Sequence, residues 1–256
     1  MQVKFLGAHN CESKSSRYAS LLIDDVLAID AGALTSSLSF PAQQKLKAIL
    51  LTHQHYDHIR DIPAIAMNAT LHDFNINVYS TPAVYDALTN YLLNGTIYPD
   101  FLKIPQGNPS IKFRVIKPNR SEQVDGYSIL AVPVSHSVPA VGYQVTSPDG
   151  KTVFYAGDTG QCLADCWQIV SPQLLIIEVT FPNSDQEFAI QANHLTPNLL
   201  AQELDSFQSL KGYLPQVITI HMNPRQEKEI EKEKPAIAKS LDSPIALARE
   251  DMVIQL

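Results

Sequence analysis

No apolar run in this chain reaches the roughly 18 residues that a membrane-spanning helix needs. Cysteine is scarce as well. Cys11, Cys162 and Cys166 are odd in number and match neither a disulfide framework nor a zinc knuckle, so they read as small buried or half-buried thiols of a reducing compartment. Positive charge is in deficit, with 19 Lys and Arg against 26 Asp and Glu and a net charge of −7. That balance argues against gripping a long nucleic acid, which relies on many basic contacts to phosphates. A small substrate with one or two phosphates stays open, because metal ions can supply positive charge locally. There are no internal repeats and no low-complexity tracts. The first residues, Met1-Gln2-Val3-Lys4-Phe5-Leu6, read as a strand and not as a secretory leader, so the expected location is cytoplasmic.

What is present suffices for a sizeable core: 45% of 256 residues are hydrophobic. A single domain over 1–256 is expected. Two apolar runs flank Asp24-Asp25, a hairpin signal, and a third over 47–52 reads as a buried strand. A helix is expected from Asp61, a strand over 77–80, and a helix opened by Thr81-Pro82. Residues 85–117 read as an inserted helix followed by a long loop. Further strands are expected over 128–134, 142–146, 152–155, 174–179 and 217–220, and helices over 197–208 and 227–239. The charged run from Arg225 to Lys234 reads as the solvated face of that last helix.

Reactive residue types recur at the strand ends: Thr52-His53, Ser135-His136, Gly157-Asp158, Glu178 and Ile220-His221. The densest group is His53-Gln54-His55-Tyr56-Asp57-His58, four metal-ligand types within six residues. Imidazole and carboxylate suit a borderline ion such as zinc, at roughly 2.0–2.2 Å. His53 and His55, two apart on extended chain, point to one side. Asp57 and His58 follow on the turn and can face a neighbouring ion. The segment can begin two metal sites but cannot complete them. His136, Asp158 and His221 are the candidates to do so, and a bridging carboxylate is the usual way to hold two cations about 3.5–4 Å apart.

In this arrangement His53-x-His55-x-Asp57-His58, His136, Asp158 within Gly157-Asp158-Thr159, and His221 resemble the five-part signature of the metallo-β-lactamase superfamily. Asp30-Ala31-Gly32 is similar to the short motif that precedes its histidine cluster. The resemblance runs from residue 1 to about 224. It implies an α+β fold, a four-layer αββα sandwich with metals at the sheet edges. It further implies that His53, His55 and His136 hold one divalent cation and Asp57, His58 and His221 a second, with Asp158 bridging. Zinc is the default, and manganese or iron would accept the same ligands. No cysteine takes a ligand position, which argues against members that hydrolyse antibiotics with a Cys at the second metal.

A second motif bears on the reaction. Glu178-Val179-Thr180-Phe181-Pro182-Asn183 followed by His194-Leu195 is similar to stretches of ribonuclease Z and of class II cyclic-nucleotide phosphodiesterases, and sits nearer the latter. Asn193 departs from the Gly or Ala found before this histidine. His136 and Asp158 are 22 positions apart, which leaves no room for the tRNA-gripping arm of bacterial ribonuclease Z. The resemblance implies a hydrolase in which the cations polarise a shared water and clamp a small phosphodiester such as a 3′,5′-cyclic nucleotide. Asp57, His194 and Glu178 are the candidate catalytic residues, with His194 donating to the phosphate or the leaving oxygen and Glu178 orienting it. Alternatives are a ribonuclease Z-like endonuclease, a thioester or lactone hydrolase, and a binding protein with a vestigial site. The aromatics around 91–101 offer a lid for a nucleobase. His9 and His72 fit no part of the constellation. A homodimer is carried as an expectation.

Overall fold

The computed structural model describes residues 1–241 and 244–256. Among them, strands β1 (Gln2–Gly7), β2 (Ser20–Ile23), β3 (Leu27–Ile29), β4 (Ala48–Leu50), β5 (Ile76–Ser80) and β6 (Ile111–Val115) come first in the chain. They are followed by β7 (Ser121–Val124), β8 (Tyr127–Val134), β9 (Ala140–Thr146), β10 (Thr152–Tyr155), β11 (Leu174–Glu178), β12 (Gln216–Ile220), β13 (Ile245–Leu247) and β14 (Val253–Gln255). One sheet runs β14-β1-β2-β3-β4-β5-β6 and the other β13-β12-β11-β10-β9-β8-β7. Each joins antiparallel strands to a parallel run, β3 to β6 in the first and β10 to β13 in the second.

The strands are apolar on both faces because each sheet is covered on both. Leu21, Ile23, Ile29 and Leu50 enter the core that includes the second sheet, while Leu22, Ala28, Ile49 and Leu51 face helices on the outer side. Those helices include Ile62–Leu71, whose Ile62, Ile65 and Ala66 are buried there. On the far side of the second sheet, Trp167 of the Ala164–Ile169 helix packs edge-on to Phe154 and to Phe207 of the Pro197–Lys211 helix. The layers are helix, sheet, sheet, helix, as expected.

Parallel pairing decides where the reactive residues fall. Ile29 is in register with Leu50, so Asp30 and Thr52 emerge together. Tyr155 pairs with Ile176, and Glu178 with Ile220, so Asp158, Glu178 and His221 emerge from one end of neighbouring strands. Through β9, strand β8 runs in the same direction as β10 and delivers His136 there too. Ligand sites of parallel sheets gather at such carboxyl ends.

The structure also adds elements. Within 85–117 the helix Pro82–Ala87 runs into a π turn at Leu88–Leu92, and the stretch read as loop ends in β6. Asp57 and His58 lie on a short helix, Tyr56–Ile59, and not on an open turn. Phe101 is buried and Tyr98 half-buried against the helix-side core, so neither is free to serve as a lid. Cys11 and Cys162 are exposed and only Cys166 is buried, so the expected burial of the thiols holds for one of three. No described helix is long and apolar enough to cross a membrane.

Candidate active site

The structure brings all seven ligand candidates together in two overlapping groups. His53, His55, His136 and Asp158 place one donor atom each within 4.8 Å of one another, and Asp57, His58, Asp158 and His221 do the same. Asp158 belongs to both. Its Oδ1 lies 3.3 Å from His58 Nε2, and its Oδ2 lies 3.4 Å from His221 Nε2 and 3.9 Å from His53 Nε2. Asp57 Oδ2 lies 3.2 Å from His221 Nε2 and 3.4 Å from His58 Nε2. His136 Nε2 and His55 Nδ1 are 3.2 Å apart, an approach satisfied by a shared proton or a shared cation.

Close backbone packing makes this convergence possible. A Cβ on Gly32 would sit 2.4 Å from the carbonyl oxygen of Asp57, so only glycine lets the histidine segment settle against the end of β3. Gly157 has φ +66° where the chain turns into Asp158. Asn193 takes the same left-handed region, φ 55° and ψ 53°, which Asn tolerates better than most residues. It therefore fills the turn where the resemblance has Gly or Ala, and its carbonyl accepts from His136 Nδ1–H at 3.3 Å.

Two buried carboxylates hold the imidazoles, and they do so in the same way. Asp30, fully buried, accepts from the Thr52 amide at 2.8 Å, from the Thr52 hydroxyl at 2.9 Å and from His58 Nδ1–H at 2.7 Å. The Thr52 hydroxyl has then spent its proton and accepts from His53 Nδ1–H at 3.0 Å. Glu178, also fully buried, accepts from the Thr180 hydroxyl at 2.6 Å and from His194 Nδ1–H at 2.5 Å. The Thr180 hydroxyl in turn accepts from His221 Nδ1–H at 3.0 Å. Each carboxylate thus orients one imidazole directly and another through a threonine. All four rings keep Nδ1 protonated, which turns Nε2 toward the centre.

The electrostatics fit cations. Among the described residues, His53 Nε2, His58 Nε2 and Asp158 Oδ1 are buried without a hydrogen bond of good geometry, and such atoms call for a ligand. Burial, aided by the neighbouring His58, holds His53 well below the ordinary histidine range, and burial also lowers His55 and His136. These three are neutral electron-pair donors. For His58, burial opposes protonation, but Asp158, Asp30 and Asp57 outweigh it and raise the group well above its usual value. Burial likewise opposes ionisation of Asp158 and Asp57, and His221 and His58 overcome it, so both carboxyls are lowered. His194, resisted by burial but favoured by Glu178 and then by Asp158 and Asp57, is pushed up to about 9.

A family model described as the Beta-lactamase superfamily domain matches residues 21–222. The chain belongs to that superfamily. Its metal dependence agrees with the two donor groups. The chain is 23% identical over 212 residues to a 3′,5′-cyclic-nucleotide phosphodiesterase of Aliivibrio fischeri, covering 73% of this chain and 61% of that protein's length. It is 22% identical over 289 residues to a ribonuclease Z of Streptococcus suis, covering 88% and 90%. The solved structure of unliganded yeast PDE1 matches with a TM-score of 0.84 at 16% identity, over 100% of this chain and 99% of that one, a likeness of fold.

Against the superfamily frame, two residues that take part were not singled out from sequence. In the sequence Thr52 stands only as the residue before His53 and Thr180 only as a member of the Glu178–Asn183 motif, with no role attached to either. Asp30 was singled out as part of a short motif, but its grip on both His58 and Thr52 appears only in three dimensions. Among the described residues, His9 lies apart from the cluster, with Nδ1 2.7 Å from Glu250 and Nε2 3.3 Å from Glu227. His72 ends the Ile62–Leu71 helix on the surface.

Proposed function

We propose that the chain is a hydrolase of small phosphodiesters, with 3′,5′-cyclic nucleotides as the favoured substrates, and that His53, His55, His136, Asp158, Asp57, His58 and His221 hold two divalent cations, zinc by default. When bound, such a pair supplies Lewis acidity that polarises water and neutralises charge on a phosphate. The observation that carries the reading is the Glu178–His194 pair beside the donor groups. Thioester or lactone cleavage does not call for a charged donor at this place, whereas a phosphodiester does.

Hydrolysis adds water across a P–O bond. The water oxygen joins phosphorus, and the ester oxygen leaves and must gain a proton. His194, protonated below about 9 and fixed by Glu178 through Nδ1, offers its Nε2–H to a phosphoryl oxygen or to that leaving oxygen. Glu178 is itself held in place by the amides of Thr159, Thr180 and Leu195 at 3.1–3.2 Å.

The names of the relatives support a phosphodiesterase and leave the substrate open between cyclic nucleotide and RNA. Two observations favour the smaller one. The 22 positions from His136 to Asp158 are taken up by β9 and β10, and the net charge is −7. A hydrolysis panel on metal-reconstituted protein decides the matter: bis(p-nitrophenyl) phosphate, cyclic nucleotides, a precursor tRNA, a thioester and a lactone. Turnover of the first two is expected. Cleavage of the thioester or lactone without either phosphodiester would overturn the reading.

A further inference from the structure

His136 also borders a cleft of about 460 Å³ that the chemistry above does not use. One side comes from the first sheet, with Thr81 after β5 and Pro118 after β6. The other comes from the end of β8, with Pro133 and Val134, and from the segment joining it to β9, with Val138 and Pro139. Its base is tied to the cluster, since Val141 N–H donates to the Thr52 carbonyl at 3.1 Å, one residue before His53. His136 is the one titratable side chain in the lining.

Thr81 is the second observation. It is 7% exposed, and its hydroxyl is buried with no hydrogen-bond partner among the described residues. It stands at the N-terminus of the Pro82–Ala87 helix, where a threonine ordinarily caps the backbone, yet it makes no such bond. A buried hydroxyl left without a partner costs free energy unless a ligand completes it.

We propose that this cleft is the subsite for the uncharged, planar group carried by the sugar that is esterified to the phosphate, a nucleobase. The proposal rests on the phosphodiesterase reading. A phosphate at the donor groups lies beside His136, so its organic substituent has this cleft as a neighbouring space. The volume falls within the usual range of about 300–1,000 Å³ for small-molecule sites. The proline rings present flat C–H faces and no N–H groups that would need partners. A charged head group or second phosphate would lose water there and gain no counter-charge. Thr81 matches one polar atom on the edge of a ring. Two other cavities fit less well: that of Asn183, Asp185, Glu187 and Phe188, and that of Glu12, Ser16 and Arg225 contain none of the seven ligand candidates and carry charge.

Titration calorimetry on the metal-loaded full chain tests this without turnover, using adenosine 5′-monophosphate and inorganic phosphate as probes. Wild type should bind the nucleotide the more tightly. Val138→Asp should weaken nucleotide binding about tenfold or more relative to phosphate, and Thr81→Val about fivefold, with metal content unchanged. Equal affinity for the two probes in wild type would overturn the subsite, as would variants that leave their ratio unchanged. Discrimination between the probes in a protein that cleaves no phosphodiester would keep the subsite and sink the reaction.

Discussion

Replacing Thr180 by valine removes one hydroxyl and little else. That hydroxyl donates to Glu178 at 2.6 Å and accepts from His221 Nδ1–H at 3.0 Å. Glu178 retains its amide donors and His194, but His221, 3% exposed, is left with a buried N–H and no acceptor. Such a group costs about 1–3 kcal/mol. Spread over ligand orientation, that matches the roughly 10–100-fold loss of metal affinity seen when a partner behind a ligating histidine is removed. The loss should fall on the cation proposed for Asp57, His58 and His221 and spare the one proposed for His53, His55 and His136. Thr52→Val should do the converse, because Thr52 stands behind His53. Metal-buffered dialysis followed by elemental analysis reads the stoichiometry, and Thr180→Ser should restore it. Two ions retained at wild-type affinity in Thr180→Val, or both lost together in each valine variant, would refute the reasoning.

His194→Ala should lower phosphodiester turnover by about 10²–10⁴ with metal content intact, as measured by steady-state kinetics beside elemental analysis. The pKa of His194 is raised to about 9, so the donor form persists below that value and is lost above it. The alkaline limb of kcat should move toward the ordinary histidine range in Glu178→Gln, and a limb that stays put would remove Glu178 from this role. Gly32→Ala forces a Cβ to 2.4 Å from the Asp57 carbonyl oxygen, and thermal melts should show a loss of several kcal/mol together with weakened metal uptake. For His9, burial opposes protonation, but Glu250 and then Glu227 raise its pKa. A raised folded pKa gives stability fully present below the unfolded value of about 6.5 and lost as pH rises through the folded one. Denaturant titrations should show that fall in wild type and not in His9→Gln.

The parts of the site written in contiguous sequence were legible in it. Four ligand types within six residues need no fold to be noticed, and His136, Asp158 and His221 could be joined to them because each ends an apolar run. The long central strands were legible for the same reason. By contrast, β7, with the sequence Ser121-Glu122-Gln123-Val124, and β14, with Val253-Ile254-Gln255, are short edge strands without a strong period-two pattern. The second pairs with β1 from the opposite end of the chain, a contact that no local signal encodes. Thr52 and Thr180 escaped for a related reason. A threonine at a strand end is ordinary β composition, and its role arises only when parallel register sets Asp30 beside Thr52 and His221 beside Thr180.

Asp30 at φ 59° and His221 at φ 64° occupy a region of backbone space that bulky L-residues avoid, at about 1–2 kcal/mol each. Selection for a durable polypeptide alone would favour glycine at both places. An aspartate and a histidine at those positions trade robustness for reactivity, and they place strained backbone directly beneath the candidate site.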